Sequence, residues 1–177
     1  DSTGAIQWQN TIGGSGDDEL CSIVETFDGG FILGGHSQSN ISGDKTENNN
    51  GFADYWIVKI DSVGNFVWER SIVGTSEDWA FSIIQTKDSN FVFTGWSYSS
   101  DEDIPSHIGS LDYTDLIVGK IDNGGNLTWI KVYGWLDNDK GADITETATG
   151  DLLICGTTVV EGTDGQDYYL LKLDADG

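Results

Sequence analysis

The chain has 177 residues and a formal net charge of −22, with 30 acidic against 8 basic side chains. A surface this acidic repels phosphate backbones and anionic lipid, so we expect no nucleic-acid partner and no membrane insertion. Hydrophobic residues still make up 37% of the chain and aromatic residues 11%, which is enough to fill a core and argues against disorder. The absence of Met and of an apolar leader predicts a piece of a larger, processed protein.

One short motif, an aspartate followed three residues later by glycine, divides the chain into similar units. It opens at Asp1, Asp61, Asp122 and Asp174, and in the first three copies a tryptophan follows at position 8, 68 or 129. Internal repeats of this kind set the architecture before any other feature does. We therefore divide the chain into repeat 1 (1–60), repeat 2 (61–121), repeat 3 (122–173) and the start of a fourth (174–177).

Each unit contains short apolar runs separated by turn residues. In chain order these runs lie at 22–26, 31–35, 54–60, 66–69, 82–86, 91–95, 115–121, 143–147, 152–156 and 167–173. They are rich in Ile, Val, Phe and Tyr and are bounded by Gly, Asn and Asp, which is typical of β-strands. The Asp-x-x-Gly step predicts a bulged hairpin between Tyr55–Ile60 and Phe66–Glu69. The chain should thus be all-β, with tandem four-stranded antiparallel sheets.

The sequence from Gly13 to Trp68 carries a family resemblance. Its Gly-Gly-Ser-Gly-Asp-Asp-Glu, Asp-Gly-Gly-Phe-Ile-Leu-Gly-Gly and Asp-Tyr-Trp-Ile-Val-Lys-Ile segments resemble tandem Asp/Gly/Trp-rich repeats of roughly sixty residues. Such repeats occur in large secreted or surface proteins of bacteria with a C-terminal sorting domain, and are similar to delta-60 and quinoprotein-like β-propeller blades. The resemblance implies propeller-like blades and a secreted or cell-surface location.

Three blades alone cannot close a propeller, which needs about four to eight. Three arrangements stay open: a fragment of a longer propeller, two three-blade halves in one ring, or a closed threefold fold such as a β-trefoil or β-prism. The expected partners follow from this choice. They are another copy of the chain or the remaining repeats of the parent protein, and a glycan or cell-surface polymer at the variable loops. These loops are the long connections at one place in every repeat, 37–53, 97–114 and the shorter 157–166.

We expect a non-catalytic module, either a structural scaffold or an adhesion and binding platform of a larger protein. No nucleophile elbow, phosphate-binding glycine loop or zinc motif occurs in the sequence. The alternative is a carbohydrate-binding, lectin-like module or a part of a polysaccharide-degrading enzyme. Paired carboxylates could hydrolyse a glycosidic bond, but 30 acids make such a pair inevitable.

The tryptophans fall into two groups. Trp8, Trp68 and Trp129 recur at one position and should pack between sheets. Other aromatic residues occur in one repeat only, where the other copies carry Glu, His, Lys, Thr or Gly, which predicts exposed positions. These candidate ligand-binding residues are Trp79, Trp96, Tyr98 and Trp135. Scaffold packing is the alternative for Trp96.

The acidic loops are candidate calcium sites, because Ca²⁺ prefers many oxygen ligands. The candidate ligands are Asp17, Asp18, Glu77, Asp78, Asp101, Asp103, Asp137 and Asp139. None of these loops has the spacing of a known calcium loop, and solvated acidic loops are the alternative. Asp54, Asp115 and Asp167 precede strands and should instead accept backbone N–H groups.

The two cysteines, Cys21 and Cys155, do not occupy equivalent positions in the repeats. They should be either two small buried side chains or a disulfide that joins the first repeat to the third.

Overall fold

A computed structural model of the chain describes residues 3–160 and 165–177. In this part of the chain the regular structure is entirely β, and no helix is present that could cross a membrane. The strands are β1 (Asp18–Glu25), β2 (Phe31–Ser37), β3 (Asp54–Ile60), β4 (Phe66–Ile72), β5 (Asp78–Gln85), β6 (Phe91–Ser97), β7 (Asp115–Ile121), β8 (Leu127–Tyr133), β9 (Lys140–Glu146), β10 (Leu152–Val159) and β11 (Gln166–Leu173).

The strands form three antiparallel sheets in chain order. Sheet 1 is β1-β2-β3-β4, sheet 2 is β5-β6-β7-β8, and sheet 3 contains β9, β10 and β11. The all-β prediction and the meander order are confirmed. Each complete sheet takes three strands from one sequence repeat and its fourth from the next. Within the described residues sheet 3 has only three strands, so the prediction of a four-stranded sheet in every repeat is wrong for this one.

The predicted hairpin between β3 and β4 is present. Tyr55 pairs with Ile72, and the register shifts between Lys59 and Ile60, which places a β-bulge beside the turn. Gly64 at the end of the Asp-x-x-Gly turn has a φ of 85°, a conformation that a residue with a Cβ rarely adopts. The second hairpin of this kind, between β7 and β8, has its register shift at the equivalent place.

The core lies between the sheets. Ile32, Tyr55 and Ile57 on one face of sheet 1 pack with Phe91 and Phe93 of sheet 2, and all are fully buried. The opposite face of sheet 2 packs on sheet 3 in the same way. Because side chains alternate between the two faces of a strand, the central strands are buried on both sides and read as nearly continuous apolar runs.

Trp68 and Trp129 pack between sheets, as predicted, whereas Trp8 lies on sheet 1 alone and is 41% exposed, because no second sheet covers it in the described chain. A Cβ on Gly125 would come within 3.1 Å of the Trp68 ring, and Trp68 also lies 6.0 Å from Phe91. Trp8 makes the equivalent contacts with Gly64 and Phe31. The turn glycine is therefore required twice, for its positive φ and for the close approach of the ring.

The stack is open at both ends. On the outer face of sheet 1, Leu20 and Ile23 are 59% and 54% exposed, whereas on the outer face of sheet 3, Tyr168 and Leu170 are 96% and 70% exposed. Sheets 1 and 3 thus each leave an apolar face uncovered in the described part of the chain. This arrangement does not meet the expectation of a closed threefold fold.

Cys21 and Cys155 are both free and exposed. Both expectations for them, a buried pair of thiols and a disulfide, are wrong. The reason is the open stack: Cys155 lies on the uncovered face of sheet 3, and sheet 2 separates that face from the first sheet.

Candidate binding edge

The sheet stack has two different edges. Tight turns such as 26–30 and 61–65 lie at one edge, which we call the turn edge. The long connections lie at the other, which we call the loop edge, because antiparallel strands return to the same side before each connection. The described loop-edge segments include 38–53, 73–77, 98–114 and 134–139. The predicted variable loop of repeat 3 falls partly at 161–164, outside the described residues.

In sheets 1 and 2 the first residue of the first strand anchors the loop that follows the second strand. Asp78 is fully buried and accepts hydrogen bonds from the hydroxyls of Ser97 and, at 3.0 Å, Ser99. Asp18 accepts the equivalent bonds from Ser37 and Ser39. Burial raises the pKa of Asp78 to about 7.

The strand-entry acids hold the backbone of neighbouring loops, as predicted for Asp54 and Asp115. The Asp54 carboxylate accepts the N–H groups of Asn50 at 2.6 Å and Gly74 at 3.0 Å. Asp115 accepts the Ile108 N–H at 2.7 Å. Burial is the main cause that raises the pKa of both carboxyls to about 6. Asp167, at the equivalent position of sheet 3, is exposed.

A second pair of acids joins one loop to another. Both carboxylate oxygens of Asp101 bind Thr75, through its N–H at 3.0 Å and its hydroxyl at 2.6 Å. Asp103 accepts the Val73 N–H at 3.1 Å. The 98–114 loop is thereby fastened to the 73–77 segment. The Asp101 to Asp103 cluster, which we considered for a ligand, has a clear structural role.

The other candidate metal-ligating acids do not converge. Asp17 is exposed, Glu77 and Asp137 are half-buried, and Asp139 is fully buried and accepts the Trp135 N–H at 2.7 Å. Among the described residues, no three side chains of His, Cys, Asp or Glu are grouped so that they could hold a metal ion. Calcium binding stays a prediction from the acidic composition.

Aromatic rings form a continuous column across the sheets near the loop edge. His36 stacks on Trp79 with ring centroids 4.0 Å apart, and Trp79 stacks on Trp96 at 5.3 Å. The Lys140 ammonium lies 4.8 Å from the centroid of the Trp96 ring, within the range of a cation–π contact. We call His36, Trp79, Trp96 and Lys140 the aromatic column.

The predicted exposure of Trp96 is wrong, because this side chain is only 6% exposed. The equivalent residue His36 stacks on the first strand of the next sheet, and Trp96 lies against Lys140 in the same way. The residue type at this position therefore depends on its partner across the junction rather than on solvent. Trp79 is half-buried for the same reason.

Two of the candidate aromatic residues reach solvent to different degrees. Tyr98 is half-buried and meets Trp96 edge-on at 5.5 Å. Trp135 is 58% exposed, as is the neighbouring Leu136, whose backbone lies against Gly109 of the 98–114 loop. Leu111 in that loop is 59% exposed. Trp135, Leu136 and Leu111 thus give the junction of sheets 2 and 3 an apolar surface at the loop edge.

Sequence reasoning missed a recurrent ion pair at the turn edge. The Lys59 ammonium lies 3.1 Å from the Asp28 carboxylate, and the pairs in the next two sheets are Lys120 with Asp88 and Lys172 with Asp151, both at 2.8 Å. The signal was available, because a lysine precedes the last residue of β3, β7 and β11 alike. Hydrogen bonds from Thr26 and Gly30, together with Lys59, lower the pKa of Asp28 to about 2.

A cavity with a largely apolar lining lies elsewhere. It measures about 290 Å³ and opens between the N-terminal segment and the outer face of sheet 1, where Trp8, Leu20, Ile23 and Trp56 line it. None of the four candidate aromatic ligand residues contributes to it.

Comparison with protein-family models gives no match for this chain, and comparison with curated proteins gives none either.

Proposed function

We propose that the chain is a non-catalytic module of a larger secreted or cell-surface protein, a propeller-like scaffold whose loop edge serves as an adhesion or binding platform. One observation carries this proposal. Loops that differ in length and composition are held at one edge of matched sheets by equivalent acids, the half-buried Asp18 and the fully buried Asp78. In repeat proteins, loops that vary on one face of a fixed frame often form the binding face.

Sheet packing supports propeller-like blades. Sheets of neighbouring strands in meander order stack face to face, and each contact repeats the tryptophan against the turn glycine of the next sheet. Acids with raised pKa values are candidates for catalysis in principle. Here Asp54, Asp78 and Asp115 accept hydrogen bonds from loop backbone or serine hydroxyls, which supports a structural role for them.

A lectin-like module is the second candidate, and the exposed Trp135 favours it. An exposed indole can stack on the apolar face of a sugar, while nearby polar groups bind its hydroxyls. Trp135 and Leu111 are both exposed at the same junction, and Asp137 follows within two residues of the indole. This moves the proposed contact from Trp96, which is buried, to Trp135.

Binding to a panel of glycans and cell-surface polysaccharides tests both candidates. We expect Trp135→Ala to weaken any glycan binding at least tenfold while leaving the melting temperature unchanged. Phe52→Ala is the matched control, because Phe52 is 72% exposed in another loop of the same edge. Equal losses in both variants would contradict a Trp135 site. Release of sugar products by the wild-type chain would contradict the non-catalytic module.

Calcium is proposed as a stabilising ion of the acidic loops. At a net charge of −22 mutual repulsion opposes folding, and an ion bound only by the native state adds stability. Calcium chloride should raise the melting temperature more than sodium chloride of equal ionic strength. Identical shifts would indicate screening alone.

A further inference from the structure

The two junctions between sheets are built alike at the loop edge. The Asp78 N–H donates to the Ala53 carbonyl at 2.7 Å, and one repeat later the Asp139 N–H donates to the Thr114 carbonyl at 2.7 Å. In both cases an aspartate at the start of a sheet, the first residue of β5 or the residue before β9, binds the residue that precedes the third strand of the sheet before it. In the repeat alignment Asp18 of sheet 1 is equivalent to Asp78 and Asp139, and Gln166 of sheet 3 is equivalent to Ala53 and Thr114. The Asp18 N–H and the Gln166 carbonyl are therefore the corresponding groups at the two ends of the stack.

The turn edge repeats a second bond. The Phe27 N–H donates to the side chain of Gln85 at 2.7 Å, and the Lys87 N–H donates to Glu146 at 3.0 Å. Each junction is therefore closed at both edges by equivalent contacts. The ends of the stack again carry the matching groups, here the Ala148 N–H on sheet 3 and the Glu25 carboxylate on sheet 1.

The apolar faces also repeat from sheet to sheet, and one of them is left uncovered at the end of the stack. Tyr55 and Ile57 on sheet 1 are fully buried beneath sheet 2. Their equivalents on sheet 2, Leu116 and Val118, are fully buried beneath sheet 3. The equivalents on sheet 3, Tyr168 and Leu170, are 96% and 70% exposed.

The opposite face of each sheet, which packs on the sheet before it, shows the same difference in exposure. Ile83 of sheet 2 is fully buried and Ile144 of sheet 3 is 3% exposed, whereas Ile23 of sheet 1 is 54% exposed and borders the cavity of about 290 Å³. The two open faces of the chain are thus the two halves of one junction.

The N-terminal segment 6–12 resembles the fourth strand of a sheet. Its sequence, Ile-Gln-Trp-Gln-Asn-Thr-Ile, follows the pattern of β4, Phe-Val-Trp-Glu-Arg-Ser-Ile, yet it lies outside the strands of the described chain. Trp8 nevertheless packs on Gly64 and Phe31 as Trp68 packs on Gly125 and Phe91. The segment therefore occupies the place of a fourth strand that belongs to a neighbouring sheet.

We propose that a second copy of this chain docks head to tail, with its sheet 3 against sheet 1 and its β11 beside segment 6–12. The register follows from β3 and β4, in which Lys59 pairs with Trp68 and Ile60 with Phe66. Lys172 of one copy should then pair with Trp8 of the next. This interface is separate from the loop edge, so it does not depend on the function proposed above.

Sedimentation at about 0.15 M salt, where the Debye length is about 8 Å, tests the interface despite the charge on each copy. Wild-type protein should show a mass of at least twice 19.2 kDa that falls on dilution. Leu170→Asp and Ile23→Asp should each give monomers, since each puts a charge into one half of the junction. Leu111→Asp, a change at a residue of similar exposure on neither face, should associate as wild type does.

Mixing separates a head-to-tail contact from a symmetric one. Leu170→Asp keeps an intact sheet 1 face and Ile23→Asp keeps an intact sheet 3 face, so an equimolar mixture should regain dimers although neither variant does so alone. A wild-type chain that stays monomeric at high concentration would overturn the proposal. So would association that survives either variant.

Cross-linking gives an independent readout that does not depend on the strength of association. At the second junction a Cβ on Gly141 would lie 3.2 Å from the Thr94 Cβ, close to the separation in a disulfide. The equivalent pair across two copies is Leu20 and Cys155. Leu20→Cys in a Cys21→Ser background should form covalent dimers through Cys155 with oxidised glutathione as oxidant. Leu111→Cys in the same background should not, and equal yields would refute the geometry.

Discussion

The Tyr55 hydroxyl donates a hydrogen bond to the backbone carbonyl of Trp96 at 2.8 Å and so joins sheet 1 to sheet 2. Both residues are buried, and Tyr55 belongs to the first core cluster. The bond links β3, the third strand of sheet 1, to β6, the second strand of sheet 2. The stack of His36 on Trp79 crosses the same junction.

Tyr55→Phe should lower the free energy of unfolding by about 1–2 kcal/mol, because it leaves a buried carbonyl without its donor while the ring still packs. Tyr168→Phe is the matched control, since Tyr168 occupies the equivalent position on sheet 3 and is 96% exposed. Urea denaturation of the dilute monomer measures both. A cost shared by the two variants would show that the hydrogen bond is not its source.

Trp96→Ala should cost about 3–5 kcal/mol, as is usual when a large buried aromatic side chain is removed. The stack on Trp79 and the contact with Lys140 would be lost together with the buried area. Trp135→Ala should change stability by less than about 0.5 kcal/mol, because that side chain lies mostly in solvent. Thermal and urea unfolding provide the comparison. Little loss of stability in Trp96→Ala would restore this residue as a ligand candidate.

Lys59→Met should destabilise the protein by about 1–3 kcal/mol, because it keeps the apolar stem but removes the donors to Asp28 and to the Ile60 carbonyl. The Lys59 side chain is only 4% exposed, whereas that of Lys172 is 64% exposed. Lys172→Met should accordingly leave the melting temperature nearly unchanged. Similar shifts in both variants would mean that burial of the lysine does not set the strength of the pair.

The sequence predicted the fold where the signal is local. Alternation, turn glycines and the Asp-x-x-Gly motif placed the hairpin from Tyr55 to Ile72 and the packing of Trp68 correctly. These features depend on residues close in the chain or repeated at a fixed spacing. The lysine of each lysine–aspartate pair likewise recurs at one position of every repeat, the residue before the end of β3, β7 and β11.

The site was harder to predict because its contacts cross between sheets. Whether Trp96 is exposed depends on Lys140 of the next sheet, and nothing near Trp96 in the sequence reports that contact. The acidic loop around Asp78 predicted a metal ligand, whereas its carboxylate accepts hydrogen bonds from the hydroxyls of Ser97 and Ser99, 19 and 21 residues away in the sequence. A residue type that varies among repeats indicates an exposed position only if that position faces solvent. Here the variable positions of the aromatic column contact one another instead.

The buried acids predict how stability depends on pH. In the folded protein the pKa is about 7 for Asp78 and about 6 for Asp54 and Asp115, against an ordinary value of 3.8. The folded state therefore holds more protons than the unfolded chain between about pH 4 and pH 7. These carboxyls oppose folding when ionised, so stability should rise as the pH falls through this window.

Two groups act in the other direction and limit the gain. Burial lowers the pKa of His36, so protons favour the unfolded chain below about pH 6.5 at this residue. The stabilisation from Asp28 is present above the unfolded value of 3.8 and is lost as the pH falls toward about 2. We therefore expect the melting temperature to be highest near about pH 5 and to fall at more acidic pH.

Asp78→Asn isolates the largest of these contributions. The amide keeps the size of the side chain and cannot ionise, so the variant should be more stable than wild type at pH 8 and should lose most of that advantage at pH 5. Asp17→Asn makes the same change in net charge at an exposed position and should leave the wild-type slope in place. Melting temperatures of the three proteins from pH 4 to pH 8, at constant ionic strength, compare the slopes directly. If Asp17→Asn flattened the profile as much as Asp78→Asn, general charge repulsion rather than the buried carboxyl would govern the pH dependence.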